Sequence, residues 1–150
     1  MRALLQRVDG ASVEVGGRTV GAVGRGFLVL LGVERGDGER EADALAERVA
    51  TLRVFDDPQG KMNLALREVG GGILLVPQFT LCADTRSGRR PSFDAAAPPD
   101  AARALVERFG ARLRALGLEV ASGSFGEAMR VHLVNDGPAT FLLEAKPGAA

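Results

Sequence analysis

Two short stretches of this chain carry residue types and backbone features from which a reaction site could be built. The segment QFT at 78–80 follows Pro77 at the end of an apolar run, and Gly137-Pro138 lies between two apolar runs. Backbone amides at a disturbed strand end can form an oxyanion hole. Carbonyls beside a Gly-Pro bond can accept hydrogen bonds from a substrate amine. An ordinary strand end and an ordinary turn are the alternatives.

Side-chain nucleophiles are scarce, because Cys82 and His132 are the only cysteine and histidine. One of each excludes an internal disulfide, a Cys-based zinc site and a multi-histidine metal site, so we expect no metal. Cys82 ends an apolar strand and is interpreted as a buried structural residue, and His132 as a surface or half-buried strand residue. Thr80 offers a hydroxyl without an evident neighbouring base. A general small-ester hydrolase that uses Thr80 as its nucleophile stays open as an alternative.

Phosphate recognition has one candidate, the loop that carries Arg86, Arg89 and Arg90. Arginines on a loop offer bidentate donors to phosphate oxygens, and a solvated, charged loop is the alternative. The glycines at 24–26 and 70–72 precede strands and lack the spacing of nucleotide-binding loops. They are therefore interpreted as turn residues.

The composition favours a single domain over residues 1–150, in the cytoplasm, with a loose tail at 144–150. The chain is 46% apolar, which is enough to cover a core, and its 19 basic residues balance 19 acidic ones. Without net charge the protein creates no general field that attracts nucleic acid, so a polyanionic partner needs a local patch. The N-terminus does not resemble a signal peptide, and no window is long enough to span a bilayer. We expect neither DNA nor a membrane as a partner.

Apolar patterning predicts several strands and two amphipathic helices. The predicted strands lie at 2–8, 12–15, 18–23, 26–33, 73–81, 118–121 and 129–135, with a last one from about 140, and the predicted helices at 37–55 and 98–116. The residues at 61–68 form a connection without an assignment. Because strands and helices do not alternate regularly, the predicted fold is α/β, with a mixed or antiparallel sheet covered by two helices.

Three local features refine this pattern. Gly16-Gly17 tolerates the positive φ angles of a tight hairpin between the second and third strands. Pro77 predicts that regular pairing of its strand ends there, which leaves QFT in a bulge or at a sheet edge. The segment NDGPAT at 135–140 predicts a turn that ends one strand and begins another.

Five motifs, taken together, resemble the D-aminoacyl-tRNA deacylase family. They run from Met1 to about Glu144 in the family's order and spacing, which makes the resemblance far more specific than any single short pattern. The motifs are MRALLQRV at 1–8, QFTL at 78–81, SGRRPSF at 87–93, FGEAM at 125–129 and NDGPAT at 135–140.

The resemblance implies an enzyme that hydrolyses the ester of D-aminoacyl-tRNA, and of some glycyl-tRNA, as a proofreading step in translation. It implies a small, barrel-like α/β homodimer with active sites at its interface and no metal or organic cofactor. Each site would combine the QFTL-type motif of one subunit with the Gly-cisPro motif of the other. That second motif would reject L-aminoacyl-tRNA by steric collision.

Carried over motif by motif, the resemblance also assigns roles to residues. The expected catalytic residues are Gln78, Phe79 and Thr80, the substrate contacts Met129, Gly137 and Pro138, and the supporting residues Arg7 and Asn135, while the loop with Arg86, Arg89 and Arg90 would contact tRNA. The amides of Phe79 and Thr80 would form the oxyanion hole, and water would attack with help from the adenosine 2′-hydroxyl.

The chain departs from the family pattern at two positions. Pro77 stands where serine is common, which removes a hydroxyl and an amide beside the pocket and bears on chiral selectivity. Ala139 stands where valine is usual, which implies slightly looser packing with the chemistry intact. The alternative from another class is a non-catalytic tRNA-binding domain that uses the arginine loop and binds tRNA whatever its acylation state.

Overall fold

The described part of this protein, residues 1–148 of a computed structural model, contains eight strands and two α-helices. The strands are β1 (Arg2–Val15), β2 (Arg18–Val23), β3 (Gly26–Gly32), β4 (Phe55–Asp56), β5 (Met62–Leu64), β6 (Gly72–Pro77), β7 (Glu119–Ser122) and β8 (Arg130–Glu144). The helices are α1 (Glu39–Thr51) and α2 (Pro99–Ala115), and two 3₁₀ helices lie at Leu66–Val69 and Phe79–Cys82.

β1 is the strand on which the sheet is assembled. It pairs antiparallel with β8 along one edge, and on the other edge with β3 over its first half and β2 over its second. The main sheet has the order β2-β1-β3-β6-β7, and β8 lies beside β1. A Cβ built on Gly21 in β2 would lie 2.5 Å from the carbonyl oxygen of Ser122 in β7, so the two ends of this order approach each other and the sheet is nearly closed.

The mixed sheet with two helices is confirmed, with one correction to its connectivity. β3, β6 and β7 pair in parallel, and α1 and α2 are the crossovers between them. The middle of the chain therefore does alternate strand and helix, which the sequence pattern did not indicate. The short hairpin of β4 and β5, inserted after α1, interrupts the alternation along the chain.

The core has two parts, one on each side of the sheet. The first fills the space between the sheet and the two helices, with Phe27, Leu45 and Phe109 among its fully buried side chains. The second lies inside the curl of the sheet and consists of Val8, Ala11, Val13, Leu28, Leu74 and Val76. β3 contributes to both because its successive side chains point to opposite faces.

Several predicted elements differ from the structure at their ends. The hairpin at Gly16-Gly17 is confirmed, and both glycines have positive φ angles of 56° and 79°. The helix predicted over 37–55 ends at Thr51, because Leu52 is extended and Phe55 pairs with Leu64 in the β4–β5 hairpin. The unassigned connection at 61–68 contains β5 and most of the first 3₁₀ helix.

The last strand also corrects the sequence interpretation of 135–140. This segment is no turn between two strands, because β8 continues through it and pairs with β1 on both sides. The expected loose tail at 144–150 is held at its start, since Glu144 pairs with Arg2 and the amide of Ala145 donates to the carbonyl of Met1 at 3.0 Å. Residues 149 and 150 of that tail lie outside the described residues.

Candidate active site

The QFT segment lies at the point where β6 changes into a 3₁₀ helix. The amide of Gln78 still donates to the carbonyl of Leu31 in β3 at 2.8 Å, and the next residues turn into the helix at Phe79–Cys82. The prediction that QFT lies in a bulge or at a sheet edge is therefore wrong, because the segment enters a 3₁₀ helix. The predicted end of regular pairing at Pro77 is confirmed. The side-chain amide of Gln78 donates to the hydroxyl of Thr80.

Phe79 is an exposed aromatic residue at this strand end. Its ring is 60% exposed, and it packs edge-to-face against Phe93 with the ring centroids 5.1 Å apart. The sequence placed Phe93 within a motif but indicated no role for it. The two rings together form an apolar wall beside the 3₁₀ helix.

Two backbone donors stand at the start of the same 3₁₀ helix. Within residues 1–148, the amides of Phe79 and Thr80 have no backbone acceptor outside the short helix that they begin. The first amides of any helix lack partners within it, so they are available to an external acceptor. An ester carbonyl oxygen, or the oxyanion derived from it, is an acceptor of this kind.

The Gly137-Pro138 pair lies in a wide bulge of β8. Asn135 pairs with Val8 and Thr140 with Gln6, so the residues at 136–139 stand opposite the single residue Arg7. The bond between Gly137 and Pro138 is cis, and both residues are exposed. The backbone of the pair thus projects from the sheet.

The side chains of Arg7 and Asn135 donate hydrogen bonds to backbone carbonyls of this bulge. Arg7 is only 6% exposed and donates to the carbonyls of Asp136, at 3.1 Å, and Val54, at 2.7 Å. Its guanidinium also lies 3.0 Å from the carboxylate of Asp136 and 3.5 Å from that of Asp56. The bulge is thereby joined to the segment that follows α1, a connection that the sequence did not reveal.

Asn135 closes the bulge from the other side. Its side-chain amide donates to the carbonyl of Arg7 at 2.8 Å and to that of Ala139 at 3.4 Å. A Cβ built on Gly137 would lie 3.0 Å from Asn135 Oδ1, so a side chain there would press on this contact. Arg7 and Asn135, expected as supporting residues, thus both donate hydrogen bonds to the backbone of the bulge.

The two motifs are far apart within one chain. Pro77 pairs with Leu31 and Leu31 with Ala3, whereas the bulge lies opposite Arg7 on the same strand as Ala3. Four residues along β1 span about 13 Å, and three strand spacings span about 14 Å, so the path between the motifs measured along the sheet is roughly 20 Å. A single copy does not bring the Gly-Pro bulge to the QFT segment.

Met129 lies just before β8, packed against the inner core. Its sulfur accepts a hydrogen bond from the amide of Ser124 at 3.4 Å, and a Cβ built on Gly123 would lie 2.9 Å from the same sulfur. The amide of Gly123 donates to the carbonyl of Leu75 in β6. Met129 therefore lies near the C-terminal end of β6 and away from the Gly-Pro bulge.

Two backbone hydrogen bonds between Asp84 and Ser92 close the arginine loop at its base. Arg86 donates two hydrogen bonds to the carboxylate of Asp84, at 2.9 and 2.8 Å, and holds the pKa of that carboxyl at about 2. Arg89 and Arg90 are exposed. Arg86 is thus partly neutralised by its neighbour, while the other two arginines face solvent.

The only cysteine ends the 3₁₀ helix that Phe79 begins, and the only histidine lies on β8. Cys82 is buried, with its sulfur 3.5 Å from the carbonyl oxygen of Val33, which confirms the prediction of a buried structural residue. His132 projects from β8 with its side chain 57% exposed and its Nε2 3.0 Å from the carboxylate of Glu14. Within residues 1–148, neither side chain forms a hydrogen bond or an ion pair with Gln78.

Cys82 is expected to react slowly with thiol reagents. Burial, and secondarily the charge of Glu34, raises the pKa of its thiol, so little reactive thiolate exists at neutral pH. We expect alkylation by iodoacetamide at pH 8 to be at least about tenfold slower in the native protein than in urea. Rapid alkylation of the native protein would contradict this prediction.

Two further properties bear on the class of site. Within residues 1–148, no three histidine, cysteine, aspartate or glutamate side chains are grouped closely enough to hold a metal ion. None of the helices in the same range combines the length and the apolar character that a bilayer crossing requires.

Two solved structures share this architecture over nearly the whole chain. One, described as c-Myc DNA Unwinding Element Binding Protein, has a TM-score of 0.91 and 39% identity and covers 97% of this chain and 99% of its own. The other, described as a probable eukaryotic D-amino acid tRNA deacylase, has a TM-score of 0.77 over 96% of this chain and 98% of its own. At 24% identity the second shows the fold alone.

Sequence comparison extends over the same length. A protein of Geobacter sulfurreducens named D-aminoacyl-tRNA deacylase is 59% identical over 146 residues, which cover 97% of this chain and 96% of that protein. The profile of the family described as D-Tyr-tRNA(Tyr) deacylase matches residues 4–144, a range that includes both the QFT segment and the Gly-Pro bulge. With the profile match and the full-length identity in agreement, this chain belongs to the D-Tyr-tRNA(Tyr) deacylase family.

Proposed function

We propose that this protein hydrolyses the ester of D-aminoacyl-tRNA in a site built from two copies of the chain. The QFT segment of one copy would supply the reaction centre, and the Gly-Pro bulge of the other would face it. The observation that carries this proposal is the strand register, which places the two exposed motifs three strands apart in one chain, roughly 20 Å along the sheet. A second copy is the simplest means of bringing them together.

An uncovered apolar face supports assembly into a homodimer. Leu142, Leu4 and Leu30 form a row across β8, β1 and β3, on the face opposite to the one that the helices cover. Leu142 is 51% exposed, and the exposed Phe79 follows the end of the adjacent strand β6. Burial of this row against a second copy would remove apolar surface from water.

The chemistry proposed for the site relies on backbone groups. The amides of Phe79 and Thr80 would donate to the ester carbonyl oxygen and stabilise the oxyanion that forms when water adds to the carbonyl carbon. The adenosine 2′-hydroxyl would assist that water, and the ester oxygen would leave with a proton as the 3′-hydroxyl of the tRNA. The exposed Phe79 and Phe93 rings would cover one side of the reacting group.

Selection between D and L substrates would come from the partner's bulge. Its exposed carbonyls would accept hydrogen bonds from the α-amine of a D-residue, and an L side chain would collide with the same backbone. Glycine has no side chain to reject, so glycyl-tRNA would also be hydrolysed. Met129 would contact the substrate from the sheet side, and Arg89 and Arg90 would contact the tRNA. Because its substrate forms where proteins are made, we expect the protein in the cytoplasm.

Single-turnover hydrolysis of D-tyrosyl-tRNA, L-tyrosyl-tRNA and glycyl-tRNA by the full chain tests the proposal. We expect rapid loss of the D and glycyl esters, with the L ester spared. Equal hydrolysis of the D and L esters would support the esterase activity and overturn the chiral filter. Pro77→Ser would then be the first substitution to test. Binding of tRNA without hydrolysis of any ester would favour a non-catalytic RNA-binding domain.

Sedimentation of the protein at the concentrations used for catalysis tests its assembly. We expect a dimer, and we expect Leu142→Glu to shift the population toward monomer with a parallel loss of hydrolysis, because a charge on this row opposes its burial. Full activity of a monomeric variant would show that one copy is sufficient.

A further inference from the structure

A cavity of about 380 Å³ opens beside the proposed reaction centre and has no role in the mechanism above. It lies between α2 and the ends of β6 and β7, and Pro77, the residue directly before Gln78, forms part of its wall. The loop after β7 closes the far side with Ser124 and Phe125. We call this space the α2 cavity.

Two guanidinium groups face the α2 cavity from one side of α2. Arg103, Glu107, Gly110 and Arg114 line it and recur at spacings of four, three and four residues, which places them on a single helix face. Arg103 lies over the ring of Phe125, 4.8 Å from its centroid. Arg114 donates to the carbonyl of Val120 at 3.1 Å, which fixes its direction and leaves further donors available.

These two arginines differ from the other arginines of the same helix. Arg108 and Arg112 form ion pairs with acidic side chains of α1, namely Asp43, Glu39 and Glu47. Within residues 1–148, no carboxylate lies within ion-pair distance of Arg103 or Arg114. Glu107 lines the same cavity without pairing to either, so the cavity has two positive groups and one negative group.

The floor of the α2 cavity is kept open by a glycine in the middle of the helix. Glycine in a helix interior destabilises the fold by about 0.5–1 kcal/mol relative to alanine, so a glycine there suggests that space is needed at that position. A Cβ built on Gly110 would lie 3.4 Å from a methyl carbon of Leu75 and 3.6 Å from Arg114 Nη1. A larger side chain would therefore occupy the space in front of Arg114.

We propose that the α2 cavity binds a phosphodiester of the tRNA acceptor strand, with Arg103 and Arg114 as its ligands. The inference rests on the proposed deacylase function, because that function places the ester at the QFT segment. The RNA strand that leads away from the ester would then pass Pro77, which lines the cavity. Arginine binds phosphate oxygens through charge-assisted, bidentate hydrogen bonds. A chain of zero net charge needs such a local patch to hold a polyanion.

Two substrates separate this role from catalysis. D-tyrosyl-tRNA contains the phosphodiester, whereas D-tyrosyl-adenosine carries the same ester without any phosphate. For the double variant Arg103→Gln/Arg114→Gln we expect the ratio of kcat/KM for the tRNA to that for the nucleoside ester to fall by about tenfold or more, since charged hydrogen bonds are removed from the tRNA alone. The dependence of log Kd for uncharged tRNA on log salt should become shallower by about 0.7 for each phosphate that the variant no longer neutralises.

Arg67→Gln is the matched control. Arg67 is exposed and lies before β6, at the opposite end of that strand from Pro77. The substitution removes one positive charge, as each of the single variants Arg103→Gln and Arg114→Gln does, and we expect it, unlike them, to leave both the ratio and the salt dependence as in the unaltered protein.

Three outcomes decide between the possibilities. If the double variant lost kcat/KM equally for the tRNA and for the nucleoside ester, the phosphate role would be overturned and a structural role indicated. If it lost neither, and log Kd for tRNA kept its dependence on log salt, the phosphate role would also be overturned. Hydrolysis of neither ester by the unaltered protein would reject the proposed function itself. In that case, weaker binding of uncharged tRNA by the double variant would still support the α2 cavity as an RNA site, and unweakened binding would reject it.

Discussion

Replacing Arg7 by methionine is expected to lower kcat/KM for D-aminoacyl-tRNA by about a hundredfold, because displacement of a positioning group by about 1 Å can cost that much. Arg7 donates to the carbonyls of Asp136 and Val54 and so ties the Gly-Pro bulge to the segment after α1. Methionine fills a similar volume but donates no hydrogen bond. The bulge would then lose its defined position and, with it, part of the discrimination between D and L esters.

The same substitution should lower the free energy of unfolding by about 2–3 kcal/mol, the usual cost of losing a buried hydrogen bond made by a charged group. Urea denaturation measures this change in stability, and kinetics at a temperature where the variant is fully folded measure the change in kcat/KM. Arg7→Lys keeps the charge without the planar fork, so it should recover stability better than chiral selectivity.

Arg48→Met provides the control for Arg7→Met. Arg48 is exposed on α1 and donates to the carbonyl of Glu144, so the same chemical change is made at the surface. We expect it to change kcat/KM by less than about threefold, as exposed polar pairs contribute little. If Arg7→Met kept the D to L ratio of the unaltered protein, the bulge would not be the element that selects the substrate.

Removing the amide hydrogen of Thr80 is expected to lower kcat by about 10²–10³-fold, the effect typical of losing one oxyanion-hole donor. Substitution of Thr80 by its α-hydroxy acid analogue replaces the backbone N–H by oxygen and keeps the side chain. Single-turnover hydrolysis of D-tyrosyl-tRNA measures the change in the chemical step. The native fold of the variant is checked by its circular dichroism spectrum and melting temperature.

Thr80→Ala is the complementary variant, since it keeps the amide and removes the hydroxyl. The proposed mechanism predicts a loss of only a few fold, because the hydroxyl serves as a hydrogen-bond partner of Gln78 and not as a nucleophile. Abolished turnover in Thr80→Ala, with normal turnover in the α-hydroxy variant, would instead favour a general ester hydrolase that uses Thr80 as its nucleophile.

The sequence predicted those elements whose signal is local. The hairpin at Gly16-Gly17 follows from glycine geometry, and the buried strand β3 follows from a continuous apolar run. The parallel pairing of β3 with β6 is a contact between distant residues and leaves no periodic signal. The end of α1 at Thr51 depends on Phe55 joining the β4–β5 hairpin, which a helical spacing of apolar residues does not reveal.

The same distinction applies to the candidate site. Asp-Gly-Pro indicated a turn, because turn propensity is a property of adjacent residues. Whether the strand resumes afterwards depends on a partner strand at the other end of the chain, and β1 pairs with β8 on both sides of the bulge. The supporting role expected for Arg7 came from the family resemblance, whereas its acceptors, the carbonyls of Val54 and Asp136, became apparent only in the structure.

The pairing of β1 with β8 also determines when the Gly-Pro bulge can form during synthesis of the chain. Arg2 pairs with Glu144 and Glu14 with Arg130, so β1 is translated long before the strand with which it pairs along its length. Pairings between residues so distant in sequence form slowly, and until then the edge of β1 is open to other strands. The bulge and its contact with Arg7 therefore form only after β8 has been translated, and a chain truncated before β8 would expose an aggregation-prone edge and lack the Gly-Pro bulge.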